Sequence, residues 1–506
     1  MKTNFTALDF IVLIVYLLAT TILGLWLGRD QKDAKDYFVA GKAIPWWAIL
    51  FSVVATETSA LTFISIPGLA YTTNLGFLQI AVGYLLGRIV VAYTLLPKYY
   101  QGDLVTAYAL LEKRFGVATR RFASIIFMGT RALADSVRVF ATAIPIALII
   151  GPAVPQQYLM PSAILVLGLL TLIYTYHGGM RAVVWTDVMQ TAVYLGGGLA
   201  ALYLVGSLVN GGWGAIFSDA AGAGKLRVFD FYLGFDRPLT LFAGLIGGAF
   251  LSMASHGADQ LIVQRLLAAS SLEDSRKALI GSGVAVVAQF SLFLLIGLGL
   301  WIFNNHQTFA VPDSIFPSFV VNQMPAGLRG LIIAAVLAAA MSSLSGSMNS
   351  LAAATTHDIY LPLTGRAPAD PKVLRMGRIF TLFWGVLLLT AALLYRQQGT
   401  PVVVVALSIA SFTYGGLLGG FFLGMLWRRA IQRDAVIGMA LGILTMSVVV
   451  FAKQLVPVFP SIGDTLTVLS RIAWPWYVLI GTAVTMTVGI LSSLTHPAPT
   501  GASRWT

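Results

Sequence analysis

Long apolar blocks broken by short basic linkers dominate this chain. Runs of about 20 apolar residues, the length that crosses a hydrocarbon core as a helix, fall near 8–28, 44–72, 76–97, 122–151, 159–177, 183–210, 239–268, 279–304, 327–361, 375–396, 401–427, 434–453 and 472–495. The pattern predicts an all-α polytopic membrane protein of about thirteen transmembrane helices, with the polar stretch Asn210–Arg237 as an external loop. Three segments depart from uniform apolarity at mid-depth. The second carries ATETSALTF at Ala55–Phe63 and then Pro67, the seventh carries SMASHGADQ at Ser252–Gln260, and the ninth carries AAAMSSLSGSMNS at Ala338–Ser350. An unsatisfied polar group in hydrocarbon costs several kcal/mol, so such clusters are expected only where they line a protected site. Hydroxyl and carbonyl oxygens suit a hard monovalent cation, which predicts a sodium site at the membrane midplane. Interrupted helices at equivalent places in two halves point to an inverted repeat with the binding site between them. The repeats are expected over 44–210 and 239–428, with a peripheral helix at 8–28 before them and two more over 434–495; packed helices that Gly and Pro merely kink are the plainer alternative.

Charge fixes an orientation. The linkers on one side carry Arg29, Lys32, Lys35 and Lys42, then Lys98, Lys113, Arg114, Arg120 and Arg121, then Arg265, Arg276 and Lys277, then Arg366 and Lys372, then Arg428, Arg429 and Arg433. Basic residues collect on the cytoplasmic side, so the N-terminus is expected outside and the C-terminus in the cytoplasm. The net charge of +12 is then a property of the loops rather than a nucleic-acid signal. Only 10% of residues are charged and the mean hydropathy is +0.83, against roughly 25% charged in soluble domains. With Cys 0, thiolate metal sites and cysteine nucleophiles are excluded. No P-loop, zinc-ligand cluster or serine-hydrolase motif is present, so no enzyme is expected; nor is a cleavable leader, because Leu8–Gly28 is long enough to span.

Several segments carry a family resemblance. GGMRAVVWTDVMQ at Gly178–Gln190, DQLIVQRLLAASSLEDSRKALIGS at Asp259–Ser282, LVTAYALLEKRFG at Leu104–Gly116, and the Ser342/Ser343 pair followed by THDIY at Thr356–Tyr360 resemble the sodium/solute symporter family, in the same order along nearly the whole chain. The resemblance implies a LeuT-type 5+5 inverted-repeat fold, sodium-driven uptake and alternating access. It places the common sodium site on the backbone carbonyls of Ala55, Thr58 and Ala339 and the hydroxyls of Ser342 and Ser343; helix packing by small residues is the alternative for the two serines. Some members hold a second sodium, and Asp187 and Ser345 match that site. Gly346 stands where such members have another hydroxyl, which favours a single ion here. Asp187 could instead partner Arg181 or order a gate near the cytoplasmic end.

The solute is less marked. Sugar-carrying members have an amide at the position of Thr62 and a lysine where Gln289 stands, and they place asparagine and tyrosine at Ser252 and Ser255. Ser59 and Thr62 resemble the pair that receives the carboxylate in members that carry sialic acid. Arg131, Asp135 and Arg138 lie on one helix face, and each charge at the bilayer centre costs roughly 2.5–3.5 kcal/mol on insertion scales. One arginine could take a substrate carboxylate, Arg138 being the better placed, or both could belong to a closed structural cluster with Glu57, Asp135 and Arg88. His256 is a candidate specificity residue, with Gln79 and Ser252 facing the same cavity, and Asp259 is expected to stabilise the helix break. Phe412, Thr413 and Tyr414 could form an outer lid or contact lipid, and His177 is expected in a loop. The expectation is a sodium-coupled symporter of a bacterial inner membrane for a small organic anion. A sugar, polyol or neutral amino acid, or proton coupling through Glu57, Asp135 or His256, remain the alternatives.

Overall fold

The computed structural model describes residues 5–28, 33–57, 60–102, 104–150, 154–309, 312–395 and 402–497. Each segment predicted from the sequence coincides with helix. The first is α1 (Ala7–Leu27), begun by a reciprocal cap in which the Thr6 hydroxyl accepts from the Asp9 amide and the Asp9 carboxylate accepts from Thr6. The second is described as α2 (Trp46–Glu57) and α3 (Ala60–Thr72), on either side of residues 58–59. α4 (Leu78–Tyr93) and the long α5 (Val117–Ile150) follow. The fifth and sixth predicted segments form one helical run, α6 (Gln156–Leu208), broken only at Gly179. Its φ of 53° lies in the left-handed region that glycine adopts without steric cost, so the GG pair turns the chain without a linker. His177 therefore sits in the last turn before that break, not in a loop; its Nδ1 lies 3.0 Å from the Ile173 carbonyl oxygen.

The seventh segment is split. A π-turn at Ala243–Gly247 leads into α7 (Gly248–Gly257), and α8 (Gln260–Leu267) resumes after the break. Asp259 makes that break tolerable: its side chain accepts from the Leu261 amide at 2.8 Å as the N-cap of α8. On the other side the Tyr99 hydroxyl donates to the Gly257 carbonyl at 2.5 Å. The chain continues through α9 (Leu272–Phe303), α10 (Leu328–Ala354) running on into a π-turn at Thr355–Tyr360, α11 (Pro371–Leu394), α12 (Val402–Leu426), α13 (Gln432–Val450) and α14 (Trp476–Ser493). Seven helices among the described residues are long and apolar enough to cross a membrane. α10 is buried along nearly its whole length and packs most extensively on α6, so it forms the centre of the molecule. The external stretch 210–237 departs from the expected loop, since Gly212–Gly222 is a helix whose Ile216 and Ala220 pack on Leu298 of α9.

The C-terminal end is fastened by polar contacts. Asp434 at the start of α13 accepts from the Ser492 hydroxyl at 2.6 Å and lies 2.9 Å from His496 Nε2. The Pro497 carbonyl and then the Asp434 carboxylate hold the His496 imidazolium pKa above its ordinary 6.5. A raised pKa means that the charged ring favours the folded state. Its contribution is complete below about pH 6.5 and is lost as pH rises through the raised value. The difference in melting temperature between the wild type and His496→Asn is accordingly expected to shrink as pH increases.

Candidate functional site

Ala55 is buried in the last described turn of α2. Thr58 and Ser59 lie outside the described residues. The facing oxygens come from α10, where Ala339, Ser342 and Ser343 are all buried. The Ser342 hydroxyl donates to Asp187 Oδ1 of α6 at 2.6 Å. A hydroxyl donates one proton and keeps acceptor lone pairs, so Ser342 Oγ can still face a cation. Ser343 Oγ is buried with no hydrogen-bond partner. Leaving such a group unpaired costs about 1–3 kcal/mol, and a cation ligand would answer that cost. A small cavity lined by Val54, Ala55, Gln190, Thr191, Tyr194 and Ala339 lies between these elements. Among the described residues no group of three His, Asp or Glu could hold a metal ion. A site assembled from neutral hydroxyl and carbonyl oxygens suits sodium rather than a transition metal.

Asp187 corrects one expectation. It does not partner Arg181 at the cytoplasmic end: it is fully buried and pairs with Arg265 of α8 at 3.3 Å. Its Oδ2 also accepts from Ser52 of α2 at 2.5 Å, and Arg265 Nε donates to the same Ser52 oxygen at 2.9 Å. Arg265, placed in a cytoplasmic loop by the charge count, is thus a core residue, and its Nη1 also donates to the Leu261 carbonyl at 2.8 Å. Through Ser342, Asp187 and Ser52, α10 is joined by hydrogen bonds to α2, and through Arg265 to α8. Ser345, the other residue matched to a second ion, donates its hydroxyl to the Ser342 carbonyl at 3.0 Å.

The expected single cluster of Glu57, Arg88, Arg131, Asp135 and Arg138 divides in two. Glu57 pairs with Arg88, whose Nη1 donates to Ser282 of α9 at 2.9 Å. Arg131 turns instead to Asp259 at 2.5 Å and to the Tyr414 hydroxyl at 2.6 Å, with Asp135 further away at 3.5 Å. Asp135 accepts from Ser347 of α10 at 2.5 Å. Among the described residues Arg138 is left with Asp135 at 3.4 Å, and its side chain is 21% exposed where that of Arg131 is 5% exposed. Thr413 and Tyr414 are buried rather than in contact with lipid. They face α5, at Thr130 and Arg131, while Phe412 packs on Phe451.

Of the other expected solute contacts, two are occupied by the backbone. Gln79 donates to the Gly76 and Leu239 carbonyls at 3.1 and 3.3 Å and accepts from the Asp230 amide at 3.2 Å. Ser252 donates to the Tyr84 carbonyl at 2.8 Å. Thr62 is half-buried on α3. His256 keeps one ring nitrogen, Nε2, buried and without a hydrogen bond. Ser52, Ser282, Ser347 and Arg265 were not singled out by the sequence. A serine one turn before Ala55 and a cation in the same motif as Asp259 were the available signals.

A helical membrane protein with a helix broken at Ala258–Asp259 beside a hydroxyl-rich central helix is the build of an ion-coupled carrier. The chain matches the sodium:solute symporter family over residues 37–442 and belongs to it. It is 33% identical to the sodium/sialic acid symporter NanT of Aliivibrio fischeri, covering 92% of each chain. To the sodium/sialic acid symporter SiaT of Proteus mirabilis it is 30% identical, covering 88% of this chain and 89% of that one. The solved substrate-bound, outward-open structure of a Na+-coupled sialic acid symporter superposes with a TM-score of 0.84 at 29% identity, over 98% of this chain and 99% of that one. The nucleobase-cation symporter Mhp1 shares the fold at a TM-score of 0.55 and 14% identity. The protein is a multi-pass, sodium-coupled symporter and not an enzyme.

Proposed function

We propose that this symporter takes up a small organic anion, and that Arg138 receives its carboxylate. The observation that carries this reading is the difference between the two arginines of α5. Arg131 is consumed by Asp259, Tyr414 and Asp135, whereas Arg138 is half-buried with one distant carboxylate beside it. A planar guanidinium with donors to spare suits bidentate carboxylate capture. Relatives named for sialic acid, itself a carboxylate, support the same class.

In this reading one sodium sits on the carbonyls of Ala55, Thr58 and Ala339 and the hydroxyls of Ser342 and Ser343, with Ser59 and Thr62 beside the solute. Asp187 is committed to Arg265 and Ser52, which favours one ion over two. Sodium draws the stretch from Ala55 to Thr62 onto α10, completes the solute site and favours the outward-open state. Release follows when the inner halves α2 and α8 part from α10. One sodium with one monocarboxylate moves no net charge, so the sodium gradient alone drives uptake. A second sodium would add about 2.3 kcal/mol per 100 mV of membrane potential. We read the chain as thirteen spans in a bacterial inner membrane, N-terminus outside and C-terminus cytoplasmic, with inverted repeats at 44–210 and 239–428.

The test is thermal stabilisation of the purified protein by small carboxylates, sugars and amino acids, each in sodium and in matched choline buffer. Stabilisation by carboxylates only in sodium is the expected result. Stabilisation by sugars or amino acids in their place would overturn the anion reading, and stabilisation indifferent to sodium would overturn coupled binding.

A further inference from the structure

Between α6 and α7 the chain presents a row of large apolar side chains at alternate positions. Phe229, Phe231, Leu233 and Phe235 are 57%, 68%, 73% and 60% exposed. Residues 227–234 form neither helix nor strand, and the rings of Phe229 and Phe231 stack at 6.3 Å, so the alternate side chains share a side. The polar residues between and beside them satisfy one another. Arg227 pairs with Asp230 at 3.0 Å, the Tyr232 hydroxyl donates to Asp236 at 3.0 Å, and Arg237 lies 4.2 Å over the Tyr232 ring. A Cβ at Gly234 would collide with the Tyr232 ring and the Asp236 carboxylate, so that position has to be glycine for the pair to close. Three hydrogen bonds fix the row to the helix bundle. The Asp230 amide donates to Gln79 of α4 at 3.2 Å, the Asp230 carbonyl accepts from the Leu241 amide at 2.6 Å, and the Phe235 carbonyl accepts from the Ala473 amide at 2.7 Å. The Phe235 ring packs 5.0 Å from Trp476, the first residue of α14.

We propose that Phe229–Phe235 is an interfacial anchor whose apolar side chains insert into the headgroup boundary of the lipid bilayer. Position argues for lipid. α14 is long and apolar enough to cross a membrane, so its first turn marks the level at which the chain enters the bilayer, and the row is bonded to that turn. Composition argues for the same partner, since Phe and Leu on one side with Arg at the flanks is the pattern of segments that lie in the interface plane. A non-helical backbone cannot enter the hydrocarbon core exposed to lipid, which limits the insertion to the boundary. A second copy of the chain is the poorer occupant. Arg227, Asp230, Tyr232 and Asp236 already pair within the segment, which leaves little polar complementarity for the rim of a protein interface. Water alone would leave four large apolar side chains exposed in a fixed row, which is the mark of a contact surface.

Because the sequence contains no cysteine, a nitroxide label can be placed at Phe231→Cys or Leu233→Cys alone. The full-length protein is reconstituted in nanodiscs of phosphatidylcholine and phosphatidylglycerol. The access of oxygen and of an aqueous nickel chelate to each label is then measured, with depth calibrated by spin-labelled lipids. Oxygen is expected to reach both labels in preference to nickel, at a depth of about 5–10 Å into the boundary between headgroups and acyl chains. Preferential access of nickel at either position would place the row in water and overturn the anchor. Low access of both reagents would show that protein covers the row, with spin–spin broadening where the cover is a second copy, and would overturn it as well. Phe229→Cys supplies a further position in the same row if either variant does not fold.

Discussion

Arg138→Ala is expected to abolish sodium-driven uptake of the anion, by about 100-fold or more, while the protein remains folded. Removing one partner of a desolvated charge pair costs about 2–5 kcal/mol, which corresponds to a loss from about thirtyfold to several thousandfold. The fold should survive because nothing is orphaned. Asp135 keeps the Ser347 hydroxyl at 2.5 Å and Arg131 at 3.5 Å after Arg138 is gone. Arg131→Ala is the contrasting control. It strips Asp259 of an ion pair at 2.5 Å in the centre of the bundle, and stranding a buried charge costs about 3–5 kcal/mol. Folded yield should therefore fall with Arg131→Ala and hold with Arg138→Ala, read by size-exclusion chromatography beside the uptake assay. Uptake preserved in Arg138→Ala would remove Arg138 from the solute site. Partial recovery in Arg138→Lys is expected, since a lysine restores charge without the planar fork.

The same contrast shows what a sequence can and cannot disclose. The break of the seventh segment was legible because it is local: the Gly–Ala–Asp run at Gly257–Asp259 cannot sit in hydrocarbon as plain helix, whereas the interruption expected within Ala55–Phe63 falls on residues 58–59, outside the described residues. The turn at Gly179 was legible for a similar reason, although the absence of any linker there was not, since one residue at φ 53° suffices. Partner choice was not legible. Arg131 and Arg138 look alike along one helix face, and only the arrival of Asp259 from α8 and Tyr414 from α12 distinguishes them. Arg265 reads as a loop cation until the packing of α8 on α2 and α10 buries it against Asp187. Gln79 was a reasonable solute contact by position, but the carbonyl of Leu239 and the amide of Asp230 reach it first. The helix at Gly212–Gly222 was missed because a glycine pair at Gly211 and Gly212 resembles a turn, which it is, directly before a helix that Ile216 anchors.

Ser343→Ala is expected to raise the sodium concentration for half-maximal uptake by about 10- to 100-fold, the cost of losing one charge-assisted ligand of roughly 1.5–3 kcal/mol. Expression should be intact, and the reason lies in the hydrogen bonds. Ser343 Oγ has no partner among the described residues, so its removal breaks no described bond and relieves a buried unsatisfied hydroxyl. In sodium-free choline buffer the variant should melt at or slightly above the wild-type temperature, and the stabilisation that sodium confers should be largely gone. Ser342→Ala is expected to behave differently. Its hydroxyl donates to Asp187 at 2.6 Å, inside the network that joins α10 to α2 and α8, so its loss should lower the melting temperature in both buffers. A variant that lowers stability everywhere marks a structural serine, and one that lowers it only where sodium is present marks a ligand. Wild-type sodium dependence in Ser343→Ala would remove that hydroxyl from the ion site, and equal behaviour of the two variants would show that the pair acts through packing alone.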